Sequence, residues 1–419
     1  MNKIAQIDEK IIKNNLLNLK QLVFEVTEKC NLNCKYCGLS EQLYQTYDAR
    51  KNRDLPFKKA KQIVDYLFDL WKDYCIADTF FRFSVSFYGG EPLTNVPLIK
   101  EIIDYIEELG IKEKQIHYSM TTNAMLLDKH MDFLSKKNFN LLISLDGDET
   151  AQSYRLDHSG KNSFSQVIRN VKLLQHKHPA YFNESVQFIS VLHNRNDVEP
   201  ILCFFKTYFD KIPTITPLND SGISESKKEE FLKMYQHKSQ SLMKSPNCEA
   251  IQTEYFLEMP KGYRLSKYLY NMSGNIFYNY NQLILQKKSD NEIFTGTCTP
   301  FSKKLFVTAE GKILPCERID HDFAVGYVHD DFVELDYKYV AERHNHYLSK
   351  CAGQCTCCAI SKSCSQCIYR IDDLREEISH CQYFCTQEED DKEKEQILDY
   401  LRQHPYYYEK VLNEVGFTL

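Results

Sequence analysis

The chain has 419 residues, enough for two or three domains. Hydrophobic residues make up 43% and charged residues 26%, ordinary for a globular protein, and the net charge of -6 carries no polybasic footprint, so nucleic acid is not the expected partner. No apolar run reaches the ~18 residues of a membrane span, and Met1–Lys20 has no secretory apolar core, so the expectation is a cytoplasmic protein without a membrane partner.

The first half alternates strand and helix patterns. Strands are predicted over Leu22–Thr27, Phe81–Tyr88, Gln115–Thr121, Phe139–Leu145, Ser185–Leu192 and Ile212–Pro217, the second with Phe81, Phe83, Val85 and Phe87 on one side. Between them run helical stripes: Ala60, Ile63, Val64, Leu67, Phe68 and Trp71; then Ile102, Ile103, Ile106 and Leu109; then Phe164, Val167, Ile168, Val171 and Leu174. Six β/α units in series predict an α/β fold with a parallel sheet, two units short of a closed barrel. After Asp220 the alternation stops. Ser224–Lys244 is charged and helix-favouring, Tyr255–Gln286 is aromatic-rich, and Lys304–Thr308 with Lys312–Leu314 reads as a hairpin. Glu388–Glu395 is a mixed-sign run, expected as a solvated helix face. The expected divisions are an N-terminal segment (1–20), a partial (β/α)6 barrel (21–220), a helical bridging region (221–295), a small α+β Cys-rich domain (296–386) and a helical tail (387–419).

Cysteine usage is the outlier. Sixteen cysteines in a chain with no export signal are not expected to form structural disulfides. Three lie at Cys30, Cys34 and Cys37, and ten between Cys298 and Cys385, a clustering that reads as metal binding. Cys75, Cys203 and Cys248 read as isolated thiols. The spacing C-x3-C-x2-C supplies three thiolates, one short of the four that a [4Fe–4S] cubane takes, so one iron would stay open to another ligand. This loop follows the first predicted strand. The next three strands end in Gly89-Gly90-Glu91, in Asn123, and in Ser144-Leu145-Asp146-Gly147. In a parallel sheet these ends share one rim. Paired glycines allow close backbone approach, Glu91 suits an ammonium, and the short polar groups suit hydroxyls and amino-acid heads. Each motif alone is more often a turn or a helix cap; the series is what carries weight.

In these motifs the chain resembles the radical SAM superfamily, over roughly Leu22–Pro217. The resemblance implies that Cys30, Cys34 and Cys37 hold a [4Fe–4S] cluster whose open iron binds S-adenosylmethionine (SAM). It places Tyr36 beside the adenine, Gly89, Gly90 and Glu91 at the SAM amino group, and Asn123, Ser144 and Asp146 near its methionine and ribose. It pairs Arg155 with the SAM carboxylate, although Gln152-Ser153 stand where the family commonly has His-Asp. The implied chemistry is reductive cleavage of SAM to a 5′-deoxyadenosyl radical that abstracts a substrate hydrogen, with a flavodoxin or ferredoxin as electron donor.

The second cysteine group runs Cys298-x12-Gly311-x4-Cys316, then Cys355-x2-Cys358-x5-Cys364-x2-Cys367, then Cys381 and Cys385. A zinc ribbon would separate its Cys pairs by about 15–20 residues, against five here. The pattern resembles the SPASM extension, which implies two auxiliary iron–sulfur clusters. Cys355, Cys358, Cys364 and Cys381 are assigned to the outer one, and Cys298, Cys316 and Cys367 to the inner one, whose fourth ligand is Cys385, Cys351 or an open position. Cys357 reads as a bystander.

SPASM proteins mostly modify peptides and proteins, and Lys304–Arg318 looks most like maturases of ribosomally made peptides. The favoured reading is oxidation of a precursor peptide to a thioether or C–C crosslink. Its leader is met either by a separate binding protein or by Asp220–Phe294 and the tail tyrosines Tyr406, Tyr407 and Tyr408, whose plainer reading is core packing. Two alternatives stand beside it. One is an anaerobic sulfatase-maturating enzyme making formylglycine, a family that places an aspartate base where this chain has Glu317. The other is a non-catalytic iron–sulfur peptide-binding scaffold, which predicts decayed SAM motifs.

Overall fold

The computed structural model describes residues 6–39, 42–44, 51–72, 82–110, 115–220, 222–256, 259–272, 298–361, 364, 366–371 and 373–414. The chain divides into two compact units, one of Asp8–Lys238 with Thr299–Arg343, the other of Met1–Ile7, Ser239–Cys298 and His344–Leu419.

The first unit is built on one sheet. Strands β1 (Gln21–Thr27), β2 (Arg82–Gly89), β3 (Gln115–Thr122), β4 (Asn140–Ser144), β5 (Val186–Leu192) and β6 (Thr214–Pro217) pair in that order, all parallel. Helices α1 (Glu9–Leu17), α2 (Phe57–Lys72), α3 (Val96–Glu108), α4 (Leu127–Lys136), α5 (Phe164–Lys177), α6 (Pro179–Ser185) and α7 (Val198–Phe209) alternate with them. This is the partial (β/α)6 barrel that the sequence pattern predicts. The apolar stripe of α2 is buried at all six positions from Ala60 to Trp71, each large one contributing about 1.5–3 kcal/mol. Along α3, Ile102, Ile103 and Ile106 are buried, but Leu109 is the C-cap and half-exposed. Strand β5 starts at Val186 because α6 runs to Ser185. Strand β6 starts at Thr214, and Ile212 is exposed. Phe81 and Cys75 lie outside the described residues.

The predicted hairpin forms as β7 (Lys304–Val307) and β8 (Lys312–Leu314). It also extends the sheet: β7 pairs in parallel with β1, Gln21 opposite Lys304 and Phe24 opposite Val307. Strands β9 (Gly326–Val328) and β10 (Val333–Glu334) continue antiparallel, giving the order β10-β9-β8-β7-β1-β2-β3-β4-β5-β6. The compact units therefore cut across the expected segment 296–386: Thr299–Arg343 goes with the barrel, and the chain from His344 with the helical tail.

Strand alternation gives the sheet two different faces. One carries Phe83, Val85, Phe87, Tyr118, Met120, Leu141, Ile143, Val186 and Phe188, all buried. The other is polar: Gln21 Nε2 donates to Ser86 Oγ (2.6 Å), and Ser119 Oγ bonds both Ser86 and Ser84. Closed barrels usually fill this inner face with branched apolar side chains. Here it borders a cavity of about 560 Å³, lined among others by Gln21, Ser86, Ser119, Gln187, Lys304 and Glu317.

In the second unit the helices Cys248–Glu254, Pro260–Met272, Gln387–Gln403 and Tyr406–Glu414 surround a small core of Phe256, Leu265, Tyr407 and Val411. Tyr407 is fully buried, whereas Tyr406 and Tyr408 are exposed. The mixed-sign run forms a helix as expected, opened by a capping box in which Glu389 N donates to Thr386 Oγ1 and Thr386 N to Glu389 Oε2. Much of Tyr255–Gln286, from 273 on, lies outside the described residues. No helix among the described residues is long and apolar enough to cross a membrane.

Candidate functional site

Strand β1 ends at Thr27, and the chain turns through Glu28 into the three-cysteine loop. The loop is held from several sides. Asn33 N donates to Leu156 O (2.7 Å), Lys35 N donates to Tyr154 O (3.0 Å), and His158 Nε2 bonds Cys30 O at 2.8 Å. Glu28, itself buried, accepts from Lys51 N, Arg53 N and Arg53 Nε. Leu32 N donates to Cys30 Sγ (3.4 Å). Burial pushes the Cys34 thiol up; Arg155 opposes this, while the nearby Cys37 and Cys30 add to it. Thiols in such a site become ligands when a metal takes the place of their protons, and three of them fit a cluster with one open iron.

Strand β2 delivers the glycines. A Cβ on Gly90 would sit 2.2 Å from Lys29 O, and one on Gly89, at φ +140°, 2.2 Å from Thr27 O. Close approach is therefore required, but toward the backbone of the cysteine loop. Gly90 N donates to Thr27 O (2.9 Å) and Glu91 N to Lys29 O (2.8 Å), locking loop to strand end. The Glu91 carboxylate is 1% exposed and accepts from Thr122 Oγ1 (2.6 Å), Asn123 N (2.7 Å) and Leu93 N (3.1 Å). Burial raises its pKa to about 7 despite these three neutral donors. A buried carboxylate whose charge is met by neutral donors gains from an incoming cation, so the position fits the ammonium of SAM.

The other rim residues are committed inside the protein. Asn123 Nδ2 donates to Asn31 Oδ1 (2.7 Å) and lies 3.9 Å from Cys30 Sγ, bridging β3 to the cysteine loop. Asp146 is completely buried, with Arg155 bidentate on it (Nε and Nη2, both 3.0 Å), Val191 N donating to it (3.0 Å), and the Tyr36 hydroxyl donating to Oδ2. Burial alone would raise the Asp146 pKa; Arg155 and His193 instead hold it at about 2. Asp146, Arg155 and Tyr36, expected near the ribose, carboxylate and adenine of SAM, bond one another here. The Tyr36 ring is 7% exposed and lies 5.7 Å from the His193 ring and 6.2 Å from that of Tyr154. The physical reason is compensation: a carboxylate with no water needs charge and donors from its own chain. Ser144, half-buried, ends β4 on the same face as the cavity-lining Leu142.

Three buried supports carry no local sequence signal. Gln152 Oε1 accepts from Asp146 N (2.9 Å), and its Nε2 donates to Ser163 (3.0 Å), so this residue orients the aspartate in place of the family's His-Asp. Asn196 Nδ2 donates to the carbonyls of Val191 and Asp146. His193 Nε2 lies 3.7 Å from Asp146.

Cys316 and Glu317 follow β8 in the barrel unit. Burial pushes the Cys316 thiol up to about 12, the Glu317 carboxylate adding to it. Glu317 lines the cavity and takes both of its short bonds from Lys304 Nζ (2.9 and 3.0 Å). In the second unit Cys355, Cys358, Cys364 and Cys381 line one small cavity, the same four that the SPASM resemblance assigns to the outer cluster; four thiols around one space are the donor set a cubane takes. Cys298 and Cys367 of that unit are close enough for their charges to interact. Cys385 interacts with Cys358, and Cys351 with Cys355 and Cys381, so both candidates for the inner cluster's fourth ligand stand beside the outer set.

Residues 24–202 match the radical SAM superfamily. Among curated proteins the chain is similar to a cysteine-type anaerobic sulfatase-maturating enzyme of Clostridium novyi, 29% identical over 219 residues (48% of this chain, 53% of that enzyme). It is also similar to a radical SAM cyclopropyl synthase, TigE, of Paramaledivibacter caminithermalis, 30% identical over 183 residues (42% of this chain, 35% of the synthase). The chain thus spans about half the length, or less, of these curated relatives. A solved structure of native anSMEcpe with bound AdoMet and Cp18Cys peptide has the same fold, with a TM-score of 0.61 at 19% identity, covering 94% of this chain and 99% of that one. The three-thiol loop thus leaves the first strand within the region that matches the radical SAM superfamily.

Proposed function

We propose that this chain is a radical SAM peptide maturase with a SPASM-type C-terminal region, cleaving SAM reductively and oxidising a precursor peptide to a thioether or C–C crosslink in the cytoplasm. Cys30, Cys34 and Cys37 would hold the cluster that binds SAM, and the eight cysteines Cys298, Cys316, Cys355, Cys358, Cys364, Cys367, Cys381 and Cys385 serve two auxiliary clusters. When bound, the cluster and SAM supply a hydrogen-abstracting radical. The chain's own residues do the rest: Glu91 receives the SAM ammonium, and the Asp146–Arg155 pair fixes the wall behind the cysteine loop. The observation that carries the reading is the three-thiol loop after β1, inside the region that matches the radical SAM superfamily; the inner face of the sheet also borders a cavity of about 560 Å³. The relatives named as sulfatase maturase and cyclopropyl synthase support it.

The first hydrogen would leave the peptide on 5′-deoxyadenosine; as the new C–S or C–C bond forms, the second would leave as a proton to solvent and an electron to an auxiliary cluster. A flavodoxin or ferredoxin supplies the starting electron, and a separate leader-binding protein is a further proposed partner. Anaerobic incubation of the reconstituted enzyme with SAM, dithionite and a candidate precursor tests this. The expected product is a peptide lighter by two hydrogens, formed with 5′-deoxyadenosine. Brisk 5′-deoxyadenosine formation with an unchanged peptide mass refutes the reading for that peptide.

A second reading, formylglycine formation, is favoured by one observation: Glu317 lines the cavity, at the position where sulfatase maturases resembling this chain carry an aspartate. Its bonds to Lys304 count against a free base there. A sulfatase-motif peptide converted to formylglycine decides for it.

A further inference from the structure

The wall of the barrel cavity changes character along its strands. Farther along β2, β4 and β5 it carries Tyr88, Leu142 and Ile189. Two residues earlier on the same strands, and so on the same face, stand Ser86, Asn140 and Gln187, with Ser119 joining Ser86 to Asn140 in register. This polar floor is unevenly occupied. Ser86 takes the bond from Gln21 and shares another with Ser119. The side-chain amides of Asn140 and Gln187, both exposed, make no hydrogen bond among the described residues. The charged lining residues cancel, Lys304 and Arg318 against Glu184 and Glu317. Lys304 Nζ is spent on both Glu317 oxygens, Arg318 lies 3.7 Å from the same carboxylate, and Glu184 is exposed.

We infer that Asn140 and Gln187 form a specificity subsite for a neutral carboxamide side chain of the peptide, an asparagine or glutamine whose stem lies against Leu142 and Ile189. The inference rests on the peptide-maturase reading above. An amide carries both donors and an acceptor, so two unused amides can satisfy a third. A carboxylate tip would meet no free cation and would leave water for neutral partners, which costs far more than moving a neutral group. An ammonium tip has only Glu184 to pair with, at an exposed position where an ion pair contributes little. An apolar tip would take water from Asn140 and Gln187 and leave their hydrogen bonds unmade. The two residues touch the held side chain and break no bond, so they select substrate and leave the chemistry to the rim.

The test is equilibrium dialysis of the full, anaerobically reconstituted chain with SAM against the peptides Ac-Gly-Gly-X-Gly-Gly-NH2, where X is Gln, Glu, Lys or Leu, with free peptide counted by mass spectrometry. The Gln peptide should bind about tenfold more tightly than each of the others. Asn140→Leu/Gln187→Leu should bring it down to the level of the Leu peptide. Asn140→Asp/Gln187→Glu should instead make the Lys peptide the tightest of the four, a gain that a misfolded protein cannot produce. Equal binding of all four by the parent overturns the inference, as does an unchanged order in both double variants. Tightest binding of the Lys peptide by the parent also overturns it and assigns the cavity to Glu184. Ac-Gln-NH2 and Ac-Glu-NH2, dialysed in parallel, separate this inference from the reading beneath it. If Ac-Gln-NH2 is preferred while no pentapeptide binds, the subsite stands and the peptide reading fails. If the Gln preference is absent while a precursor still loses two hydrogens, only the subsite fails.

Discussion

The strand-end rim and the thiol site of the second unit stand at opposite ends of preorganisation. At the rim nearly every polar atom already has a partner within the chain. Glu91 accepts three bonds, Asp146 is clamped by Arg155, Val191 and Tyr36, and Gly89-Gly90 interlock with the cysteine loop. Around Cys355–Cys381 regular structure is short among the described residues: the helix ends at Cys357, and the turn Ile368–Arg370 follows before the tail helix begins at Gln387. The difference teaches which region needs its cofactor in order to fold. The rim is built by buried charge and hydrogen bonds, whereas under the proposed auxiliary-cluster reading the thiol loops would take their binding partner as their core, in the manner of small metal-dependent domains.

The largest expected effect breaks the rim. Arg155→Met leaves the Asp146 carboxylate buried without its cation and should cost about 3–5 kcal/mol in urea unfolding; a loss below about 1 kcal/mol would show that the pair does not hold the rim. The same pair sets an acid limit. The folded pKa of Asp146, about 2, lies below its ordinary 3.8. Its contribution, on the order of 2 kcal/mol, is therefore present above about pH 4 and lost as the pH falls through 2.

Removal of iron by a chelator should sharpen the contrast. Amide exchange is expected to rise across Cys355–Cys385 and to stay unchanged in β1–β5; equal loosening of both would erase the distinction. Glu91 gives a binding effect of intermediate size. Its raised pKa means that the native state keeps a proton between its ordinary 4.5 and about 7, so ionisation within that window costs stability. SAM, which pairs with the ionised form, should then bind roughly tenfold more tightly at pH 8 than at pH 6. Glu91→Gln should bind SAM more weakly and with a flat pH profile, as read by equilibrium dialysis. The smallest effect belongs to the second unit's own helix. Thr386→Ala removes the capping box and should cost about 1 kcal/mol, seen as local fraying of Gln387–Gln403 with the barrel unaffected.

Much of this architecture is legible in the sequence because its periodicities are clean. The α2 stripe from Ala60 to Trp71 is buried throughout, and the polar/apolar alternation of β2 reports its two faces. The rim could be located because its motifs follow successive strands. Its internal wiring could not, since Asp146 meets Tyr36 across 110 residues and Gln152 replaces a familiar pair with no local signature. The glycine pair was identifiable, but its close neighbour proved to be the cysteine loop. The parallel pairing of β7 with β1 joins positions about two-thirds of the chain apart, and a short strand of four residues carries no mark of which edge it extends. The SPASM resemblance groups the four thiols that share a cavity, yet it leaves Cys351 and Cys385 as candidates for the other cluster.

The most direct test of the account is reductive SAM cleavage by the anaerobically reconstituted chain, measured as 5′-deoxyadenosine and methionine with dithionite as reductant. The account predicts that both products form in the parent and fall to background in Cys30→Ala/Cys34→Ala/Cys37→Ala, with the barrel still folded by circular dichroism. Undiminished cleavage in the triple variant, or none in a parent carrying its full iron load, would contradict it.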